Sequence, residues 1–153
     1  MSVDSVEYLR ASWRDLRAVL ALEEACFGID AWPWIDVLAA LSLPDAVRIK
    51  AKVGGQVVGF VFGERRDRRR VGWVSSLAVA PGFRRQGIAR ELLRRCELEL
   101  AAQRLRLALR RTNEGAMALY LSEGYRQIEV WPAYYRDGED GLIMAKPGVI
   151  DRA

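Results

Sequence analysis

The chain has 153 residues, of which 51% are hydrophobic and 29% charged, and a formal net charge of +4. This length supports one domain, residues 1–153, with a real core; no apolar run is long enough to span a membrane and no basic-then-apolar leader is read, so a cytoplasmic protein is expected. The chain has no histidine, which excludes imidazole acid–base chemistry and argues against a transition-metal site.

Residues 6–11 read as a first strand. Ser12 to Asp15 has the form of a capping box, with Asp in place of the usual Glu. Leu16, Val19, Leu20 and Glu23/Cys26 follow at helical spacing. Residues 27–33 form a loop, and Pro33 opens a second helix carrying Val37, Leu38 and Leu41. Val47, Ile49, Ala51 and Val53 alternate with Arg48, Lys50 and Lys52, the pattern of a half-buried strand. Gly54-Gly55 is a two-residue hairpin turn, and residues 56–65 return as a more central, more apolar strand. Residues 65–70 are a charged hairpin tip, read as a solvated turn, with a docking surface for acidic partners as the alternative.

From Trp73 to Val79 the residues read as a buried strand, broken by Pro81-Gly82. Ile88, Leu92, Leu93, Cys96 and Leu100 then mark a helix stripe. Leu105, Leu107 and Leu109 alternate as the next strand, so strand, helix and strand imply a parallel pair with a right-handed crossover. Asn113 can cap a short helix ending at Gly124. Residues 125–130 and 142–145 are the last strands. The order β-α-α-β-β-β-α-β-α-β-β predicts a mixed α/β (α+β) sheet with helices on both faces. Cys26 and Cys96 fall on helix faces and are expected to be core thiols.

One motif carries anion chemistry. Arg84-x-x-Gly87-x-Ala89 sits where the third long helix begins. Free N–H groups and the positive end of the helix dipole attract a phosphate there, and Gly87 permits close backbone approach. By itself the motif fits a solvated loop and a plain helix start equally well. It is neither a Walker loop nor a dinucleotide fingerprint.

The full stretch Ser-Leu-Ala-Val-x-Pro-x-Phe-Arg-Arg-x-Gly-Ile-Ala, residues 76–89, resembles the acetyl-CoA-binding core of the GNAT superfamily of N-acetyltransferases. Asn113-x-x-Ala-x-x-Leu-Tyr120, followed by Gly124-Tyr125, resembles that family's second signature. Tyr134-Tyr135-x-Asp-Gly-Glu-Asp-Gly-x-x-Met144 resembles a segment of the protein N-terminal acetyltransferases, including the ribosomal-protein-alanine type. The resemblance implies a mostly antiparallel seven-stranded sheet with a central splayed parallel pair and about four helices on both faces.

The resemblance also implies roles. The Leu77 N–H would meet the acetyl carbonyl and its oxyanion, and Ala78 and Val79 would pair with pantetheine. Arg84, Arg85, Gln86, Gly87, Ile88 and Ala89 would hold the diphosphate. Asn113 would contact the cofactor, and Tyr120 would return a proton to the leaving thiolate. Tyr134 and Tyr135 would line a peptide groove, with Trp32 and Trp34 as its other wall. Read bottom-up, Asn113 is equally a helix cap, Tyr120 a core aromatic, and Trp32-Pro33-Trp34 a hydrophobic plug.

One departure stands out. Relatives carry a glutamate or histidine base five positions before the asparagine, or a base four positions before the oxyanion donor; here these are Ala108 and Trp73. Asp30 is the leading substitute and Glu24 the second, with relay through water and backbone carbonyls as the remaining alternative. A weak base suits an α-amine, with a pKa near ~8, better than a lysine near ~10.4. The expected activity is acetyl-CoA-dependent acetylation of a protein or peptide N-terminal amine, without a metal, a membrane or nucleic acid as partner, by a monomer or weak homodimer. The alternatives are acetylation of a small amine (a polyamine, amino acid or antibiotic) and a non-catalytic acyl-CoA-binding module.

Overall fold

The computed structural model describes residues 5–68 and 70–148. The chain forms strands β1 (Glu7–Arg10), β2 (Val47–Val53), β3 (Gln56–Arg66), β4 (Val71–Val79), β5 (Arg104–Arg110), β6 (Arg126–Trp131) and β7 (Gly141–Pro147) and helices α1 (Leu16–Phe27), α2 (Trp34–Ser42), α3 (Ile88–Leu100) and α4 (Glu114–Ser122), in the order β1-α1-α2-β2-β3-β4-α3-β5-α4-β6-β7. The seven strands form one sheet in the order β1-β2-β3-β4-β5-β7-β6. Every neighbouring pair is antiparallel except β4 and β5.

The β4–β5 pair is what positions the site. The strands pair only over residues 71–73 and 104–106. Beyond that, β4 stays paired to β3 as far as Val79, and β5 stays paired to β7 as far as Arg110. Each strand therefore keeps one edge without a neighbouring strand, and backbone groups on such an edge require a partner. The register of β3 with β4 steps from Phe62↔Ser76 to Gly63↔Val74, leaving Ser75 as a bulge. A bulge bends its strand and re-aims the side chains around it.

The two sheet faces have separate cores: Phe60 and Phe62 alternate with Val61 along β3, and the step in β2–β3 register from Ala51↔Gly59 to Lys52↔Val57 leaves Val58 unpaired and on the Val61 side. Val58 and Val61 belong with Leu92, Leu93, Cys96 and Leu100 of α3. Phe60 and Phe62 belong with Val19 and Leu22 of α1 and Val37 and Leu41 of α2. Gly63 allows α3 to lie close: a Cβ there would come 2.7 Å from Cys96 Sγ.

The local signals hold up. Ser12 and Asp15 form the capping box, with Ser12 N–H donating to Asp15 Oδ2 at 2.9 Å, although a short 3-10 turn precedes the α-helix. Gly54 and Gly55 both have positive φ, as a tight hairpin needs. Cys26 and Cys96 are free thiols; Cys96 is the core thiol expected, whereas Cys26 is only half-buried. One buried cluster is less obvious from sequence. Glu97 of α3, 5% exposed, accepts from Tyr125 Oη at 2.6 Å and pairs with Lys146 Nζ at 2.7 Å. It ties α3 to the β6–β7 half of the sheet.

Candidate functional site

The β4–β5 splay opens into a line of clefts. A first cavity of about 170 Å³ is bounded by Ser76 and Leu77 of β4, Ala108 of β5, Asn113, Tyr120 and Tyr135. A second, of about 260 Å³, continues from it and is walled by Trp73, Trp131, Tyr134 and Tyr135. Trp32, Val74, Ser75, Ala108 and Tyr135 border both. A third cleft of about 480 Å³ runs between the end of β4, the start of α3 and α4.

The third cleft contains the predicted anion motif. Gly87, with φ +81°, precedes the first residue of α3, and Arg85 is also left-handed at φ +62°. A Cβ on Gly87 would meet nothing within 4 Å, so the position needs glycine for its backbone conformation and leaves the approach to the helix open. Arg85, Ile88 and Ala89 border this cleft, while Gln86 is exposed beside it. Arg84 is partly committed: its Nε donates to the Val79 carbonyl at 3.1 Å. Ala78 and Val79 are buried, 5% and 7% exposed, so what they offer a ligand is backbone.

Asn113 caps α4, its Oδ1 accepting from Ala116 N–H at 3.2 Å, and it also borders the first cavity. The bottom-up reading and the resemblance therefore both describe it. Tyr120 is 8% exposed and packs edge-on against Tyr125, with centroids 5.7 Å apart. Burial, with Tyr135 and Cys96 nearby, pushes its phenol well above the ordinary tyrosine range, so the ring keeps its proton.

Arg110 organises the mouth. Its Nη2 donates to Asp30 Oδ1 at 2.7 Å, and its Nη1 to Asp137 Oδ2 at 2.9 Å and Glu139 Oε1 at 3.2 Å. Its guanidinium also stands 4.4 Å from the centroid of the Tyr135 ring. Thr112 Oγ1 donates to Glu139 at 2.9 Å. A single side chain thus joins the loop after α1 to the loop between β6 and β7. Burial and the neighbouring Tyr134 push the Tyr135 phenol up to about 12.

Three expectations change here. Both Asp30 oxygens face the Arg110 guanidinium, an arrangement that suits a structural ion pair better than a proton acceptor. Glu24 lies exposed on α1. Trp34 is 59% exposed at the start of α2 and borders none of these three clefts, whereas Trp32 stacks on Phe62 at 5.9 Å and borders two of them. In place of these candidates the structure shows Glu23, which the sequence reading placed only on a helix stripe. It is 1% exposed; its Oε1 accepts from Ser76 Oγ at 2.9 Å and its Oε2 from Trp32 N–H at 3.2 Å.

Residues 10–125 match the family model for the acetyltransferase (GNAT) family. The chain belongs to that family. This GNAT protein is 30% identical to N-alpha-acetyltransferase RimI of Mycobacterium tuberculosis, over 86% of each chain. It is 38% identical to N-alpha-acetyltransferase of Saccharolobus solfataricus over 51% of this chain, a match that spans about half (49%) of that relative's length. The crystal structure of the ribosomal-protein-S18-alanine N-acetyltransferase from Escherichia coli superposes with a TM-score of 0.85 and 26% identity, covering 97% of this chain and 96% of that one.

As a GNAT acetyltransferase the protein uses acetyl-CoA, and no cluster of metal ligands occurs among the described residues. The residues present fit that substrate. An unpaired strand edge suits an extended amide chain, and an open, arginine-flanked helix start with a left-handed glycine suits a diphosphate. Acetyl-CoA supplies an activated acetyl thioester; the protein supplies position, donors and proton management.

Proposed function

We propose that the acetyl group goes to the N-terminal α-amine of a protein or peptide. The observation that carries this reading is the continuity of the first two clefts. An amine beside Leu77 and Tyr120 can belong to a chain that runs on past Tyr135 and Tyr134 and leaves between the two loops joined by Arg110. A small amine needs no such exit.

In this reading the Leu77 amide holds the acetyl carbonyl oxygen as negative charge builds on it, as a preorganised donor does. Ala78 and Val79 pair through their backbones with the pantetheine arm, and Arg84, Arg85, Gln86, Gly87, Ile88 and Ala89 surround the diphosphate. Asn113 borders the acetyl cavity, and Tyr120 protonates the departing sulfur. Its raised pKa does not prevent this, because a thiolate in the same dry cavity is destabilised too. Tyr134, Tyr135 and Trp32 face the acceptor. Asp30 braces Arg110 and thereby the groove, and Trp34 has no place in it.

A small-amine substrate remains the second reading, favoured by one observation. Asp30, Asp137 and Glu139 surround one arginine, leaving the groove mouth acidic. Acetylation of a peptide carrying both a free N-terminus and a lysine separates the readings further. Fragment mass spectrometry should place the acetyl group on the α-nitrogen; acetyl on the lysine, or only on free polyamines, would overturn the assignment.

A further inference from the structure

An acceptor amine arrives largely as an ammonium and must lose a proton before its nitrogen can attack. Ala108 and Trp73 occupy the two positions where a base was expected, and Asp30 faces Arg110. Glu23, a carboxylate close to the acetyl cavity, differs from Asp30 in facing no cation among the described residues. Glu23 makes no ion pair among the described residues, and the polar groups that face it are the Ser76 hydroxyl from β4 and the Trp32 amide from the loop before α2. Ser76 follows the Ser75 bulge, precedes Leu77, is itself 8% exposed, and borders the cavity that also contains Tyr120. A hydroxyl therefore links the reaction chamber to a carboxylate with no counter-ion.

We propose that Glu23 takes the proton of the substrate ammonium through the Ser76 hydroxyl. One N–H bond of the ammonium breaks and its proton passes to Ser76 Oγ, directly or through one water. The proton already on Ser76 passes to Glu23 Oε1. The substrate is left as a neutral amine, the serine is restored, and Glu23 becomes a neutral carboxylic acid. The second proton shed by the nitrogen, after attack, leaves with the thiol product. Glu23 returns its own proton to solvent, so one proton is released per turnover. Glu23 acts through Ser76 and touches no substrate atom.

The environment suits this task. Burial pushes the Glu23 carboxyl above the usual carboxylate range, opposed by the bonds from Ser76 and Trp32. An acceptor shifted in that direction is better matched to an ammonium than an exposed glutamate near ~4.3. A purely structural brace between α1, the loop and β4 would use the same two hydrogen bonds, but losing it would not make the fall in activity track the ionisation of the substrate amine.

The test is Glu23→Gln, which keeps the size and an oxygen acceptor but cannot take up the proton. The readout is kcat/KM against pH, from about pH 6 to about pH 10, on any accepted primary amine. Every such amine must shed a proton, so the test stands apart from the N-terminal reading. We expect a loss of about 10- to 100-fold near neutral pH that closes above the pKa of the amine, and the same profile for Ser76→Ala. An equal loss at every pH, or no loss, would overturn the proposal. A second measurement is independent of turnover: a ¹³C carboxyl titration should show one glutamate titrating above the ordinary range, absent from Glu23→Gln. If the signal removed by the substitution titrates near ~4.3, the proposal is wrong. Should that variant fail to fold, the Ser76→Ala profile decides on the same terms.

Discussion

Tyr120 and Arg110 both border the first cavity, but under the proposed function one serves the leaving thiolate and the other the acceptor groove, so their substitutions should separate. Tyr120 presents a protonated phenol at the first cavity. Tyr120→Phe keeps the ring and its contact with Tyr125, so kcat should fall about 100-fold with little change in melting temperature. Steady-state kinetics beside a thermal melt checks this; an unchanged kcat would remove Tyr120 from the reaction. Arg110, the last residue of β5, borders the same cavity, but its guanidinium is taken up by the carboxylates of the two loops at the mouth. Arg110→Met removes the cation that Asp30, Asp137 and Glu139 share and disconnects the two loops from each other. The acceptor KM should rise about tenfold or more, while calorimetry should find acetyl-CoA affinity within about twofold of the parent. The sequence showed each of these acidic residues, but Asp30, Arg110 and Asp137 are far apart along the chain, and no local pattern announces that one guanidinium collects them. Glu23 is legible in the sequence: it stands on the apolar stripe after Leu16, Val19 and Leu20, and a carboxylate on a buried face requires a polar partner inside.

At the scale of elements, strands and helices were readable because their periods were clear. The alternation of residues 47–53 and 105–109 and the stripe on α3 each specify which side is buried. The four-residue separation of Ile88, Leu92 and Cys96 fixes the face that meets the sheet. What the pattern could not supply was where β4 and β5 part, since that depends on pairings with β3 and β7 that persist after their own has ended. The exposure of Trp34 was also out of reach, because a Trp-Pro-Trp run does not say which ring turns inward. The α3–β3 contact gives a test at this scale. Gly63→Ala would drive a methyl group into Cys96 Sγ and against Leu100. Overpacking of this kind costs about 1–3 kcal/mol. Cys96→Ala made in the same chain should recover part of the loss, a coupling that chemical denaturation of both single variants and the pair would reveal. Purely additive losses would mean that the close approach is not what requires the glycine.

For the whole molecule, pH should act on stability through two glutamates with opposite signs. Glu23 is raised by burial, so the native state holds a proton that the unfolded chain has released. Its contribution is present below the unfolded value near ~4.3 and is lost as pH rises through its folded pKa. Glu123 is lowered: burial works against ionisation there, but bonds from Arg94 and Arg90 prevail. Its contribution is present above the unfolded value and is lost as pH falls through the folded one. Denaturant titrations at several pH values should therefore show Glu23→Gln gaining on the parent as pH rises from about 4, and Glu123→Gln losing ground over the lower part of the scale. Equal differences at every pH would contradict both assignments.

The most direct measurement of the central claim is release of CoA from acetyl-CoA, with short peptides that differ in their first two residues. The same peptides with blocked N-termini, and free polyamines and amino acids, provide the comparison. Turnover confined to peptides with a free N-terminus is the result predicted by a groove that runs from Leu77 and Tyr120 out past Tyr134. Turnover on the small amines alone, or undiminished on blocked peptides carrying a lysine, would contradict it.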